Sequence, residues 1–117
     1  MDGCNIALVR GVVSSEPRQR ELSSGTTVIH IELTTGSRGE RTSVPVVVYD
    51  RPVRAREGDE IVVSGRVVRR FFRAGGVTAS RTEVVADRVV PARQARRVER
   101  LLEAAATAVR ATSRADE

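Results

Sequence analysis

Residues 61–90, IVVSGRVVRRFFRAGGVTASRTEVVADRVV, read as two long strands folded back on each other at Gly75-Gly76. A Gly-Gly pair between two runs of β-branched residues marks a tight hairpin turn. Within the first arm, Arg66–Arg73 holds four arginines and two phenylalanines and no acid. Strand alternation puts Arg66, Val68, Arg70 and Phe72 on one side, and Val67, Arg69, Phe71 and Arg73 on the other. Each side therefore offers cations next to a ring. Phosphates require positive charge and unpaired bases require a flat apolar surface, so this ribbon suits a single-stranded nucleic acid.

The segments around the hairpin alternate in the same way. Residues 5–14 (NIALVRGVVS) form a first strand, with Gly11 as an expected bulge or bend. Ser15–Gly25 is a polar connection containing Pro17, with room for a short strand near Arg18–Leu22. Thr26–Thr35 turns Thr27, Ile29, Ile31 and Leu33 inward and Val28, His30, Glu32 and Thr34 outward. After the loop Gly36–Glu40, a third strand Arg41–Tyr49 carries a core stripe of Val44, Val46 and Val48. Pro45 within it implies an edge or a bulge. Arg51–Glu57 is expected as a helical turn or loop, and Gly58-Asp59 leads into a fourth strand, Glu60–Arg73. Ile61, Val63, Val67 and Phe71 form the core row of that strand, and the fifth strand is Val77–Val89. From Pro91 to Thr112 the period becomes helical, with Ala95, Val98, Leu102, Ala105 and Val109 on one stripe. That stripe is expected to pack against the barrel or a neighbouring subunit, and Ser113–Glu117 to fray.

Five strands, a break between the third and fourth, and a trailing helix predict a mainly β chain. The expected form is a five-stranded oligonucleotide/oligosaccharide-binding (OB) barrel over residues 1–90, with a C-terminal α-helix and tail over 91–117. Periodicity leaves an SH3-like barrel or a small sandwich open.

Composition narrows the function. At 117 residues the chain fits one domain, with 40% hydrophobic and 30% charged residues. Aromatics make up only 3%, so the core must be aliphatic. All 20 basic residues are arginine, and the net charge of +5 favours acidic partners. Cys4 is alone and cannot close an internal disulfide, which points to a reducing compartment. With no signal segment and no apolar run of about 20 residues, a cytoplasmic protein is expected. A single His and a single Cys cannot build a tetrahedral metal site, and neither metal nor cofactor is expected. Catalytic arrangements of Ser, His, Cys and paired carboxylates are missing too. Gly75-Gly76 lacks the following helix that a phosphate-binding loop needs, so an enzyme is not expected.

Several words of the sequence carry a resemblance: Asn5–Gly11, Ser24-Gly25-Thr26 leading into Val28–Leu33, Pro45–Tyr49, Gly58–Arg66 and Thr82–Asp87. In this order and at these spacings they resemble the bacterial single-stranded DNA-binding protein family, over about residues 5–90. The resemblance implies an OB fold, a non-enzymatic role on single-stranded DNA in replication, recombination or repair, and a homo-oligomer, usually a tetramer. It also implies that Tyr49 and Phe72 stack on bases, since they fall where the family has stacking aromatics. Arg66 and Arg70, beside Phe72, are candidate phosphate contacts, followed by Arg41, Arg51 and Arg73. His30, on the outward side of the second strand, is a further candidate.

The chain departs from the family at Ser43, where a tryptophan is usual, and in the loop Gly36–Glu40, which has no aromatic. The family's acidic tip is not matched, so its partner-docking role does not carry over. The alternative is an OB-fold interaction module or replication-restart accessory resembling primosomal replication protein N, which is usually dimeric.

Overall fold

Every alternating stretch becomes a strand. The computed structural model describes residues 3–115, with side chains as far as Ala111. The strands are β1 (Ala7–Val13), β2 (Arg18–Glu21), β3 (Thr27–Thr35), β4 (Thr42–Tyr49), β5 (Glu60–Ala74) and β6 (Val77–Pro91), followed by helix α1 (Ala95–Ala115). They lie in the order β1-β5-β6-β4-β3-β2, and a further β1–β3 pairing closes the ring. All pairs are antiparallel except β4 with β6, which meet in parallel at Val46–Val84 and Val47–Val85. This is the expected OB barrel with its C-terminal helix. The short β2, paired to β3 from Arg18–His30 to Glu21–Thr27, is a sixth strand outside the five-stranded plan.

The barrel is filled by aliphatic side chains on the predicted inward parity: Ile29, Ile31, Leu33, Val46, Val48, Ile61 and Val63, with Val13, Val84 and Ala86. No helix spans the break between β4 and β5. Asp50, at a left-handed φ of 51°, turns the chain out of β4, and the loop runs to a turn at Glu57-Gly58. Val53 and Ala55 from this loop pack on the core in place of a helical turn.

Two glycines permit close backbone approaches. A Cβ on Gly11 would lie 2.6 Å from the carbonyl oxygen of Thr34, where β1 crosses β3. The β1–β5 register runs unbroken through Gly11, so of the expected bulge or bend it is not a bulge: it marks the point where β1 passes from β5 onto β3. The bulge falls on the β5–β6 pair at Ser64/Gly65, where a Cβ on Gly65 would meet the Val85 oxygen at 2.0 Å.

Pro45 opposes Glu32, whose carbonyl turns away to accept from the Ser14 amide at 2.9 Å. The nitrogen of Pro45 therefore faces the side that β6 reaches only from Val46 onward, and its missing N–H leaves no ladder bond unmade. Pro91 is also placed differently from the expectation. It ends β6 opposite Ile61 and is followed by a turn, so α1 starts at Ala95.

The hairpin outruns the barrel. β1 lines β5 only from Glu60 to Gly65, and β4 touches β6 only at Val84 and Val85. Beyond that point β5 and β6 have only each other as ladder partners. Gly75 and Gly76 both take positive φ (59° and 82°), as a two-residue type I′ turn requires. Val67 and Phe71, expected in the core row, are 45% and 68% exposed because no inner layer reaches them. The base of this arm is tied by Asn5, whose amide donates to the Val67 carbonyl at 2.8 Å and accepts from its N–H at 2.9 Å. The Asn5 side chain thus acts as one more backbone partner for β5.

A second, smaller core sits outside the barrel. Val62 and Val90, on the outward parity of β5 and β6, are buried by Leu101 of α1 with Val98 and Ala92 at the margin. The helix is therefore docked on the barrel, as its apolar stripe suggested, although the fully buried anchor is Leu101, while Leu102 is 42% exposed. The helix continues through Ala115, into the stretch expected to fray, and Asp116-Glu117 lie outside the described residues.

Candidate nucleic-acid interface

Cross-strand partners share a face, so the ladder registers assemble the outer surface of the barrel. Val28 lies opposite Tyr49, His30 opposite Val47, and Val47 beside Val85. Val85 in turn lies opposite Arg66, Glu83 opposite Val68, Arg81 opposite Arg70, and Ala79 opposite Phe72. Four strands thereby bring Tyr49, His30, Arg66, Arg70 and Phe72 to one surface. Its floor is packed, since Val28, Val47 and Val85 are buried although they face away from the barrel interior.

Glu83 is the one buried charged residue among the described residues, at 4% exposure. Burying a carboxylate without a counter-charge is costly, and Arg70 supplies the charge through an ion pair from its Nε. The same guanidinium donates through Nη2 to the Tyr49 hydroxyl, with its Cζ 5.9 Å from the ring centroid. Arg70 is therefore committed to protein groups, and it holds the Tyr49 ring from one side. A second network crosses the same face: Glu32 accepts from Arg81 Nη2 at 3.0 Å and from Ser43 Oγ at 2.8 Å. Ser43, where a ring was missed in the sequence, is a polar strut.

The Arg66 side chain makes no hydrogen bond or ion pair among the described residues, and Phe72, on the same face further toward the turn, is 47% exposed. On the reverse side of the ribbon, Arg69 stands 5.4 Å from the Phe71 centroid and donates to Ser80 Oγ. Arg73 donates to the Gly76 carbonyl at 3.0 Å and braces the turn. Arg41, just before β4, is exposed and unpaired. Arg51 is elsewhere: it bonds the Asp87 carbonyl and lines a cleft beside α1. His30 is half-buried, and its pKa is lowered, first by burial and then by the charges of Arg20, Arg81 and Arg18, against an opposing pull from Glu83. It is therefore a neutral ring on this face at pH 7.

Arg81 and Glu83 escaped the sequence reading of the site. The alternation that turns Val84 and Ala86 inward places both outward, next to Arg70, and that signal could have found them. Among the described residues, no group of three His, Cys, Asp or Glu side chains could hold a metal ion.

No protein-family model matches the chain, and comparison with curated proteins finds no match. Among solved structures, the chain is similar to the SSB of Plasmodium falciparum in complex with ssDNA, with a TM-score of 0.68 at 20% identity. The alignment covers 78% of this chain and 96% of that one. At this level of identity the similarity shows the fold: an SSB-like OB barrel.

Proposed function

We propose that the protein binds single-stranded DNA with little regard to sequence, using the outer face of β3, β4, β6 and β5. The observation that carries this reading is one face of β5 that presents an exposed Phe72 ring and an unpaired Arg66 on either side of Arg70, which already holds Tyr49 in place. Bases stack on Phe72 and Tyr49, and phosphates meet Arg66 on the same face, with the exposed Arg41 before β4 and Arg73 at the tip of the ribbon as outlying contacts. The similar fold of an SSB complexed with ssDNA supports the same partner. This role is non-enzymatic and belongs to replication, recombination or repair in the cytoplasm. The protein works as a homo-oligomer, a tetramer by first choice and a dimer by second, to cover the exposed Leu8 and Val12 on β1 and Phe71 on the hairpin.

The test is fluorescence anisotropy of labelled oligo-dT at low and moderate salt, with duplex as control. Tight binding to the single strand alone is expected, with log K falling by roughly 0.7 per neutralised phosphate for each log unit of salt. Folded protein that leaves the single strand unbound at low salt would refute this function in favour of an OB-fold interaction module.

A further inference from the structure

A second basic feature lies away from that face. Where β4 ends, the loop after it, the Asp87-Arg88 bulge and the first turns of α1 enclose an open cleft of about 1110 Å³. This is at the upper limit of ordinary ligand pockets, roughly 300–1,000 Å³. Seven arginines line it against three carboxylates, those of Asp59, Glu60 and Asp87. Three of the seven are occupied: Arg10 pairs with Glu60 at 3.0 Å, Arg97 donates to Gln94 Oε1 at 2.7 Å, and Arg51 holds the Asp87 carbonyl. The side chains of the other four, Arg54, Arg88, Arg93 and Arg100, make no hydrogen bond or ion pair among the described residues. Asp59 is itself engaged, accepting from the Arg56 amide at 2.9 Å. Four unpaired guanidinium groups around one concavity repel each other, and an anion entering it removes that repulsion.

We propose that this cleft takes the phosphate backbone of the single strand as it leaves Tyr49, an inference that rests on the function proposed above. The two surfaces share their strands. Tyr49 is on the stacking face, its neighbour Val48 lines the cleft, and the left-handed turn at Asp50 carries the chain to Arg51. On β6, Val85 belongs to the face and Asp87, two residues on, to the cleft. The face and the cleft therefore adjoin where β4 ends and where β6 passes its bulge. One small anion would occupy one or two arginines, whereas four spread around this volume fit successive phosphates, each met by a planar guanidinium fork. No aromatic side chain lines the cleft, so it holds backbone and not stacked bases, and adds affinity without sequence preference.

The test compares the wild-type protein with an R54Q/R93Q/R100Q variant on two oligo-dT lengths. One, about 8 nucleotides, covers the face alone, and the other, about 25, reaches the cleft. The three side chains are exposed and unpaired, so the variant should melt with the wild type. For the long oligonucleotide its affinity should fall about 10-fold or more at low salt, and its salt slope by about 2, since three contacts of roughly 0.7 each are lost. Short-oligonucleotide binding should be unchanged, and the corresponding triple lysine variant should keep most of the long-oligonucleotide affinity. Equal affinity and slope for wild type and variant on the long oligonucleotide would overturn the cleft and leave the face standing. An equal loss on both lengths would also overturn it, as a general field effect. Wild-type protein that binds neither length would remove the face and the cleft together. Binding of a labelled Glu- and Leu-rich peptide, lost in the variant while oligonucleotide binding is not, would assign the cleft to a protein partner instead.

Discussion

Arg66 and Arg70 occupy the same face of β5, yet only one is free. Arg66→Ala should reduce the salt slope of binding by roughly 0.7 and leave thermal stability unchanged, as salt titrations and melting curves would show. Arg70→Ala strands the buried Glu83 carboxylate and releases Tyr49, and should cost about 1–3 kcal/mol of stability in chemical denaturation. Phe72→Ala removes a half-exposed ring and should weaken single-strand binding by about 1–3 kcal/mol without altering the melt. An unchanged affinity would make Phe72 a structural residue. Alternation alone was enough to place Tyr49, His30, Arg66, Arg70 and Phe72 on outward parities. It could not show that Arg70 is spent, because its partner Glu83 lies 13 residues away across a turn and is buried only once four strands assemble. Arg51, one of the weaker candidates, lies past the left-handed turn at Asp50 and bonds the Asp87 carbonyl, a placement that alternation along a strand does not encode.

At the scale of elements, the β5–β6 hairpin explains both what the pattern revealed and what it concealed. Its turn and both arms follow from Gly75-Gly76 and the runs of β-branched residues. The core row was extended too far, to Phe71, because period-2 alternation says which side a residue faces and not whether anything stands opposite it. The crossing at Gly11 and the bulge at Ser64/Gly65 also needed the third dimension, since each is set by a backbone remote in sequence. Gly65→Ala drives a methyl group against the Val85 carbonyl, at the point where the hairpin leaves the barrel. It should lower stability by at least about 1–3 kcal/mol in denaturant unfolding, and wild-type stability would contradict the close approach.

The whole molecule is a barrel with a helix moored on its outside by a separate small core. Barrel closure, through β1–β3 and the two-residue parallel contact of β4 with β6, left no local trace in the sequence because it joins segments far apart in the chain. The helix was legible from its period, but its mooring point was not, as both Leu101 and Leu102 fit the stripe. Leu101→Ala should cost about 2–5 kcal/mol, the usual range for emptying a buried leucine site. Hydrogen exchange should show that loss first in α1, with the barrel amides still protected. Simultaneous loss of protection in the barrel would mean that the two cores are one cooperative unit.

The bond pair between Asn5 and Val67 has a practical consequence for watching this protein at work. Cys4, the one thiol in the chain, is exposed and directly precedes the residue that grips the base of the arginine ribbon. With no lysine anywhere in the sequence, a maleimide dye would attach at Cys4 without competing side-chain amines. Its emission would report movements of the ribbon's root from a fixed anchorage.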